Sequence, residues 1–215
     1  MDEPTIVLAH RGLHGAGRPE NSIEAIRAAF ELADGLETDI RVTADGVLVL
    51  CHDSVTPDGI DVATSTYAAI QAGASHPLAT YDELLEAAPA GKWLCAEVKV
   101  SGVERRVADA GVRRLGERFR IGSFQAGALV AAPDHVRWLI VEEGDVIPSD
   151  LTGLRGLSAQ ASLYPEVLAG RSFGAVFELV AWDVVPGPDV DRLLAAGVRV
   201  FIADDPLGVR ARLAR

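Results

Sequence analysis

Residues 5–42 have the sequence TIVLAHRGLHGAGRPENSIEAIRAAFELADGLETDIRV, and this stretch decides the fold class. It begins with an apolar β-type run at Thr5–Ala9, continues with helical periodicity over Ser22–Ala33 and returns to a β-type run at Leu36–Val42. A strand, a helix and a second strand in this order are typical of a βαβ unit, in which the two strands lie parallel.

The helix within this stretch has a clear start. Asn21 is a favourable N-cap residue, and Glu24 stands three positions later, as in a capping box. Ile23, Ile26 and Phe30 then recur at helical spacing, so we expect them to form the buried face of the helix.

The same alternation continues along the chain. It predicts further strands and a weaker candidate, Gly156–Leu163, with helical patterns between most of them. The further strands are Val47–His52, Trp93–Lys99, Arg120–Phe124, Val136–Val141, Ala175–Trp182 and Val198–Ala203. The further helical patterns are Tyr81–Ala88, Val103–Arg118, Pro165–Gly170, Asp189–Ala196 and Pro206–Leu213.

Eight or nine strands alternating with helices predict an α/β fold of the compact (β/α)₈ TIM-barrel type, with residues 1–215 as a single domain. One segment conflicts with an all-parallel barrel. Thr43-Ala44-Asp45-Gly46 joins two strand patterns, and Asp-Gly favours a hairpin. One of the nine candidates is therefore a decoration or a distorted barrel strand, and segment 53–80, rich in turn residues, is predicted to be a loop or small excursion.

Composition limits the classes of partner. The 215-residue chain has a formal net charge of −11, which argues against nucleic acid and against an anionic membrane surface. Cys51 and Cys95 form neither a disulfide framework nor a zinc motif. The first residues show no basic leader and no long apolar segment, so a cytoplasmic protein without stable membrane anchoring is expected.

Charged residues cluster where the early strands end. Residues i and i+2 of a strand face the same side, so Glu37 and Asp39 point together, as do Glu97 and Lys99. A single pair of this kind is compatible with a solvated strand edge. Several of them inside apolar runs instead indicate the mouth of a barrel, where barrel enzymes keep their active sites.

Three carboxylates facing one interior would repel each other in a low dielectric, and a bound cation removes this conflict. We therefore predict that Glu37, Asp39 and Glu97 hold one divalent cation, and all-oxygen ligands favour Mg²⁺ or Ca²⁺ over zinc.

Other residues at these strand ends suit phosphoryl chemistry. His10 and His52 have side chains that exchange protons near neutral pH, so one can activate a nucleophile while the other protonates a leaving alkoxide. Arg11 can clamp phosphoryl oxygens and Lys99 can add positive charge. This set of residues favours metal-dependent cleavage of a phosphodiester.

These residues, in this order, resemble the glycerophosphodiester phosphodiesterase family. The resemblance extends over nearly the whole chain, and residues 9–53 are its most specific part. The matching stretches are Ala9-His10-Arg11-Gly12, Pro19-Glu20-Asn21-Ser22, Glu37-Thr38-Asp39, Thr43-Ala44-Asp45-Gly46, His52-Asp53, Glu97-Val98-Lys99, Ser123-Phe124, Ala181-Trp182 and Gly197 through Asp204-Asp205-Pro206.

The resemblance implies hydrolysis of small glycerophosphodiesters to an alcohol and glycerol 3-phosphate, with His10 and His52 as the acid–base pair. It also implies that Phe124 and Trp182 lie near the organic part of the substrate, and that the substrate's own glycerol hydroxyl attacks first to give a cyclic phosphate.

The chain departs from the family pattern in three places. Ser54–Ser75, after the third strand, is shorter than the family's insertion; Asp183 follows Trp182 where the family has threonine; and Ala203 replaces a threonine before Asp204. Two alternatives therefore stay open: a lysophospholipase D or sphingomyelinase D type of activity on lipid phosphodiesters, and a catalytically inactive barrel that binds phosphoesters.

Overall fold

The computed structural model describes residues 4–15, 17–164, 166–174 and 176–215. Its nine strands and seven α-helices alternate for most of the chain. The strands are β1 Ile6–Ala9, β2 Gly35–Val42, β3 Leu48–Leu50, β4 Trp93–Val98, β5 Phe119–Ser123, β6 Arg137–Val141, β7 Gly156–Gln160, β8 Glu178–Trp182 and β9 Val200–Ala203. The helices are α1 Ile23–Leu32, α2 Tyr67–Gly73, α3 Tyr81–Ala87, α4 Glu104–Leu115, α5 Ala126–Leu129, α6 Pro188–Ala195 and α7 Pro206–Leu213.

Eight of the strands close into a parallel barrel, which confirms the predicted (β/α)₈ fold. The order around the barrel is β1-β2-β4-β5-β6-β7-β8-β9, and β9 pairs again with β1. None of the helices in the described part of the chain is long and apolar enough to span a bilayer.

The ninth strand, β3, lies outside this closed set. It pairs antiparallel with β2, with Ile40 opposite Leu50 and Val42 opposite Leu48. The turn between them is the predicted Asp-Gly hairpin, in which Gly46 adopts φ 82°. Such a φ favours glycine because a Cβ would be crowded there. The hairpin therefore decorates the barrel without interrupting its parallel order.

Some predicted elements differ from those in the structure. Segment 53–80 contains α2, and the helix α5 was not predicted. The helical pattern at Pro165–Gly170 forms only a 3₁₀ turn at Glu166–Leu168, with Pro165 outside the described residues. The strand predicted from Ala175, another residue outside them, begins at Glu178.

A buried ion-pair cluster fills the amino end of the barrel. Glu178 accepts hydrogen bonds from Arg120 at 2.5 and 2.7 Å, from Trp138 Nε1 at 2.7 Å and from Arg155 at 3.0 Å. The Arg120 guanidinium, which is 1% exposed, lies 5.0 Å from the ring centre of Trp93. Polar and aromatic side chains thus fill the barrel interior at this end, whereas the predicted site residues line a cavity at the carboxyl ends of the strands.

Candidate active site

Three carboxylates predicted as cation ligands meet at the carboxyl ends of β2 and β4. Glu37 and Asp39 lie on β2, and the β2–β4 register places Asp39 directly beside Glu97. Each of the three offers an oxygen within 4.8 Å of the oxygens of the other two, and all three residues are buried. The i and i+2 spacing therefore brings these side chains together as predicted.

The charges of these carboxylates are only partly compensated by neighbouring cations. Lys99 Nζ lies 2.5 Å from Glu97 Oε1 and 3.2 Å from Asp39 Oδ1, while Arg11 Nε lies 3.5 Å from Asp39 Oδ2. Burial and the charge of Asp39 raise the pKa of Glu37 to about 8, although the charge of His10 acts in the opposite direction. Glu37 Oε1 is buried and has no hydrogen-bond partner among the described residues. An unsatisfied carboxylate oxygen within an all-oxygen donor set fits a hard divalent cation.

Asn21 positions Asp39, a role that the sequence analysis missed. Its Nδ2 donates to Asp39 Oδ2 at 2.9 Å, and its Oδ1 accepts from the Thr38 hydroxyl at 2.6 Å. The predicted capping by Asn21 was wrong: Ser22 is the N-cap of α1, and its hydroxyl accepts from Ala25 N. The amide of Asn21 is thus committed to the carboxylate cluster.

Backbone strain is concentrated at this site. Arg11 and Asn21 are the non-glycine residues with positive φ in the described chain, at 53° and 56°, and Asn21 N donates to Arg11 O at 2.8 Å. The backbone N–H of Arg11 also donates to Glu37 Oε2 at 3.2 Å. Strained conformations of this kind persist where the surrounding structure fixes them, and they are concentrated at functional sites.

His10 is oriented by acidic residues at the ends of neighbouring strands. Its Nδ1 lies 2.8 Å from Asp204 Oδ1 and 3.5 Å from Asp183 Oδ1, and its Nε2 lies 3.9 Å from Glu37 Oε2. Burial lowers the pKa of His10, but the hydrogen bond to Asp204 and the charges of Glu37 and Asp183 outweigh it and raise the pKa to about 9. His14, in the loop after β1, also contacts Asp204, with its Nε2 lying 3.2 Å from Asp204 Oδ1.

His52 reaches the site from the hairpin. It follows β3 by two positions, its Nδ1 lies 2.8 Å from Asp53 Oδ1, and its carbonyl accepts from Arg41 Nε at 2.9 Å. A carboxylate on Nδ1 leaves Nε2 available for other contacts. Both predicted histidines therefore line the same opening with one ring nitrogen already committed.

The opening is a cavity of about 320 Å³. Its lining includes the predicted Phe124 and Trp182, whose rings meet edge to face at 6.1 Å between centroids. Trp182 Nε1 donates to Ser158 O at 3.1 Å, and Lys99 Nζ lies 5.7 Å from the centre of the Phe124 ring. The cavity is lined by His10, Arg11, Glu37, His52, Cys95, Glu97, Lys99, Phe124, Ile140, Glu142, Ser158, Trp182, Asp183 and Ile202.

Three acidic residues at this end of the barrel were not predicted to act there. Glu142 follows β6, Asp183 follows β8 and Asp204 follows β9, each by one position. The rule that identified the earlier strand-end residues applies equally to these three, so their signal was present in the sequence.

Comparisons with known proteins agree with this architecture. A glycerophosphodiester phosphodiesterase of Caldanaerobacter subterraneus subsp. tengcongensis is 30% identical to the chain, over 94% of the chain and 95% of the relative. A crystal structure of a glycerophosphodiester phosphodiesterase from Thermotoga maritima matches with a TM-score of 0.76 at 22% identity, covering 99% of this chain and 100% of that one.

An Oleispira antarctica phosphodiesterase, solved in complex with the product sn-glycerol-3-phosphate, has a TM-score of 0.76 at 21% identity, covering 98% of this chain and 97% of that one. The sequence model of the glycerophosphoryl diester phosphodiesterase family matches residues 10–121, just over half of the chain and the part that carries the carboxylate cluster and both histidines. On this match and the near full-length relative, the chain belongs to the glycerophosphodiester phosphodiesterase family.

Proposed function

We propose that the protein hydrolyses small glycerophosphodiesters to an alcohol and glycerol 3-phosphate, using a divalent cation and two histidines. The observation that carries this proposal is the convergence of His10, His52, Glu37 and Glu97 on one cavity, with Asp39 buried beside the two carboxylates. The relatives support the substrate class, since the Oleispira antarctica phosphodiesterase was solved with glycerol 3-phosphate as its product.

Glu37, Asp39 and Glu97 would hold the cation, which we propose to be Mg²⁺ or Ca²⁺ because all three donors are carboxylate oxygens. The cation supplies positive charge next to the phosphoryl oxygens, where negative charge develops during displacement at phosphorus. Asn21 and Lys99 fix the orientation of Asp39 through contacts at 2.9 and 3.2 Å.

The two histidines have different environments, and this suggests their roles. His10 is held by Asp204 and has a pKa of about 9, so it carries a proton at neutral pH and suits donation to the leaving alkoxide. His52, which lines the same opening, then accepts the proton of the attacking hydroxyl through the ring nitrogen that Asp53 does not contact. Water would open a cyclic phosphate with the two roles exchanged.

The remaining residues bind the substrate. Arg11 and Lys99 border the carboxylate cluster and would contact the phosphoryl oxygens, with the planar guanidinium of Arg11 suited to two parallel hydrogen bonds. Phe124 and Trp182 would pack against the organic part of the diester, since both rings line the cavity.

The test is release of glycerol 3-phosphate from glycerophosphocholine and glycerophosphoethanolamine, with Mg²⁺ or Ca²⁺ supplied and then removed by a chelator. We expect turnover with the cation and its loss with the chelator. His52→Ala should abolish most of the activity, whereas the matched control His135→Ala should not, because His135 is exposed on a turn before β6.

Absence of turnover with both compounds and both cations would refute the proposal. Lysophosphatidylcholine in the same assay tests the alternative activity on lipid phosphodiesters. Binding of glycerol 3-phosphate without turnover of any diester would support the inactive phosphoester-binding barrel instead.

A further inference from the structure

One carboxylate of the cavity is not explained by the reaction proposed above. Glu142 follows β6 directly and continues the inward face of that strand, two positions after Ile140, which also lines the cavity. Its backbone N–H is bound by Asp145, but its carboxylate has no hydrogen bond to any described residue. The side chain is exposed and free to meet a ligand.

The charge of Glu142 also lacks compensation. Of the carboxylates that line the cavity, Glu37 and Asp183 lie 3.9 and 3.5 Å from His10, and Glu97 lies 2.5 Å from Lys99. In the described chain no cationic side chain lies within 4 Å of the Glu142 carboxylate. An exposed carboxylate without a cationic partner on the wall of a binding cavity attracts a cationic ligand group.

The cavity that contains the Glu142 carboxylate also contains an aromatic ring, that of Trp182. Trp182, on β8, lines the same cavity, and its indole N–H already donates to Ser158 O at 3.1 Å, which fixes the ring. Lys99 lies 5.7 Å from the centre of the Phe124 ring, so the Trp182 ring is the aromatic group of the wall not yet paired with a cation. Indole rings attract ammonium groups more strongly than other aromatic side chains, particularly where water is partly excluded.

We propose that Glu142 and the ring of Trp182 form a subsite for a cationic leaving group, a primary or quaternary ammonium alcohol. This inference rests on the proposed function, because it specifies which half of the diester meets the β6 and β8 side of the cavity. The divalent cation and the phosphate would be held on the β2 and β4 side, so the two subsites would not compete. The net charge of −11 strengthens the attraction at low ionic strength.

The test compares kcat/KM for substrates that share the glycerol phosphate half and differ in the other alcohol. Glycerophosphocholine and glycerophosphoethanolamine have a cationic alcohol, and glycerophosphoglycerol has a neutral one. We expect the wild-type protein to prefer the cationic substrates by about fivefold at low salt, with the preference shrinking as salt is added. Glu142→Gln should remove most of that preference.

Glu143→Gln is the matched control, because Glu143 is the neighbouring exposed carboxylate and is absent from the cavity wall. It should keep the wild-type preference. Thermal unfolding of both variants shows that each is folded.

The outcomes separate this inference from the proposed function. Equal rates for cationic and neutral substrates in the wild-type protein would overturn the inference alone. The same fractional loss on every substrate in Glu142→Gln would also overturn it, because that result indicates a hydrogen bond to the shared glycerol half. Failure to hydrolyse any of the three compounds would refute the proposed function, and the inference with it.

Discussion

Replacing Asn21 by glycine removes the side chain that holds Asp39 while keeping the local backbone. Asn21 has φ 56°, a conformation that glycine adopts freely and that costs alanine roughly 1–2 kcal/mol. Asn21→Gly therefore removes only the hydrogen bonds of the side-chain amide, whereas Asn21→Ala removes the same hydrogen bonds and adds backbone strain.

The size of the effect follows from what the amide touches. The variant loses a hydrogen bond of 2.9 Å to a buried carboxylate and an acceptor 2.6 Å from the Thr38 hydroxyl. A hydrogen bond to a charged group is worth about 1.5–3 kcal/mol, and about 1.4 kcal/mol corresponds to a factor of ten in an equilibrium constant. We therefore expect cation affinity to fall roughly 10- to 100-fold, the range usual for residues that orient metal ligands.

The assay is a titration of Mg²⁺ by calorimetry and by activity, together with urea unfolding of the cation-free protein. Ser22→Ala is the matched control: it removes the N-cap of α1 and should lower stability by about 1 kcal/mol, but Ser22 does not contact Asp39. Equal cation affinity in Asn21→Gly and wild type would refute the reasoning. So would a loss in Ser22→Ala as large as the loss in Asn21→Gly.

Three further predictions concern pH, stability and the leaving group. Because the pKa of Glu37 is about 8, cation binding below that pH must release a proton, so cation affinity should rise about tenfold from about pH 7 to about pH 9. Calorimetry in buffers of different ionisation enthalpy measures the affinity and the protons released, and an affinity that does not change with pH would contradict the prediction. Glu178→Ala should lower the free energy of unfolding by about 3–5 kcal/mol, because it leaves the buried Arg120 without its partner. The hydrogen bonds from Arg120 outweigh the effect of burial and hold the pKa of Glu178 below its usual value. The stability that Glu178 contributes is therefore present above its unfolded-state pKa and is lost as pH falls through its folded-state pKa. Urea unfolding at neutral pH and at about pH 3 should show that the stability difference between Glu178→Ala and wild type shrinks in acid, and a difference that stays constant would contradict this. His10→Ala should lower the rate of hydrolysis far more for diesters whose alcohol is a poor leaving group than for a p-nitrophenyl ester of glycerol phosphate, because a good leaving group needs no proton donor. Equal losses of rate on both kinds of substrate would exclude His10 as the proton donor.

Local spacing in the sequence correctly predicted which side chains meet at the carboxylate cluster. Glu37 and Asp39, like Glu97 and Lys99, share a strand face because successive side chains alternate, and parallel strands then bring both pairs to one end of the barrel. The i and i+2 spacing on predicted strands is sufficient to predict this convergence, so no structure is needed for it.

Residues whose role depends on tertiary contacts were harder to predict. Asn21 and Ser22 are both good N-caps by residue type, and only the distance from Asn21 to Asp39 shows which of them serves the carboxylates. Asp204 stands just before Asp205, the N-cap of α7, so an acidic residue there is equally explained by the helix start. The helix α2 has a Thr66 cap but only one buried residue, Ile70, and its helical pattern is correspondingly weak.

The antiparallel hairpin has a consequence for how this enzyme can diversify. His52 follows β3, and its position along the barrel is set by the pairing of Leu50 with Ile40, which precedes the excursion 53–80. A change in the length of that excursion leaves the ladder and the histidine in place. A one-residue change within the hairpin turn would instead shift the register of β3. The position of His52 and the length of the following loop are therefore set by separate, adjacent segments, so residues after Asp53 can be exchanged by loop grafting while the β2–β3 ladder and the His52–Asp53 contact are kept.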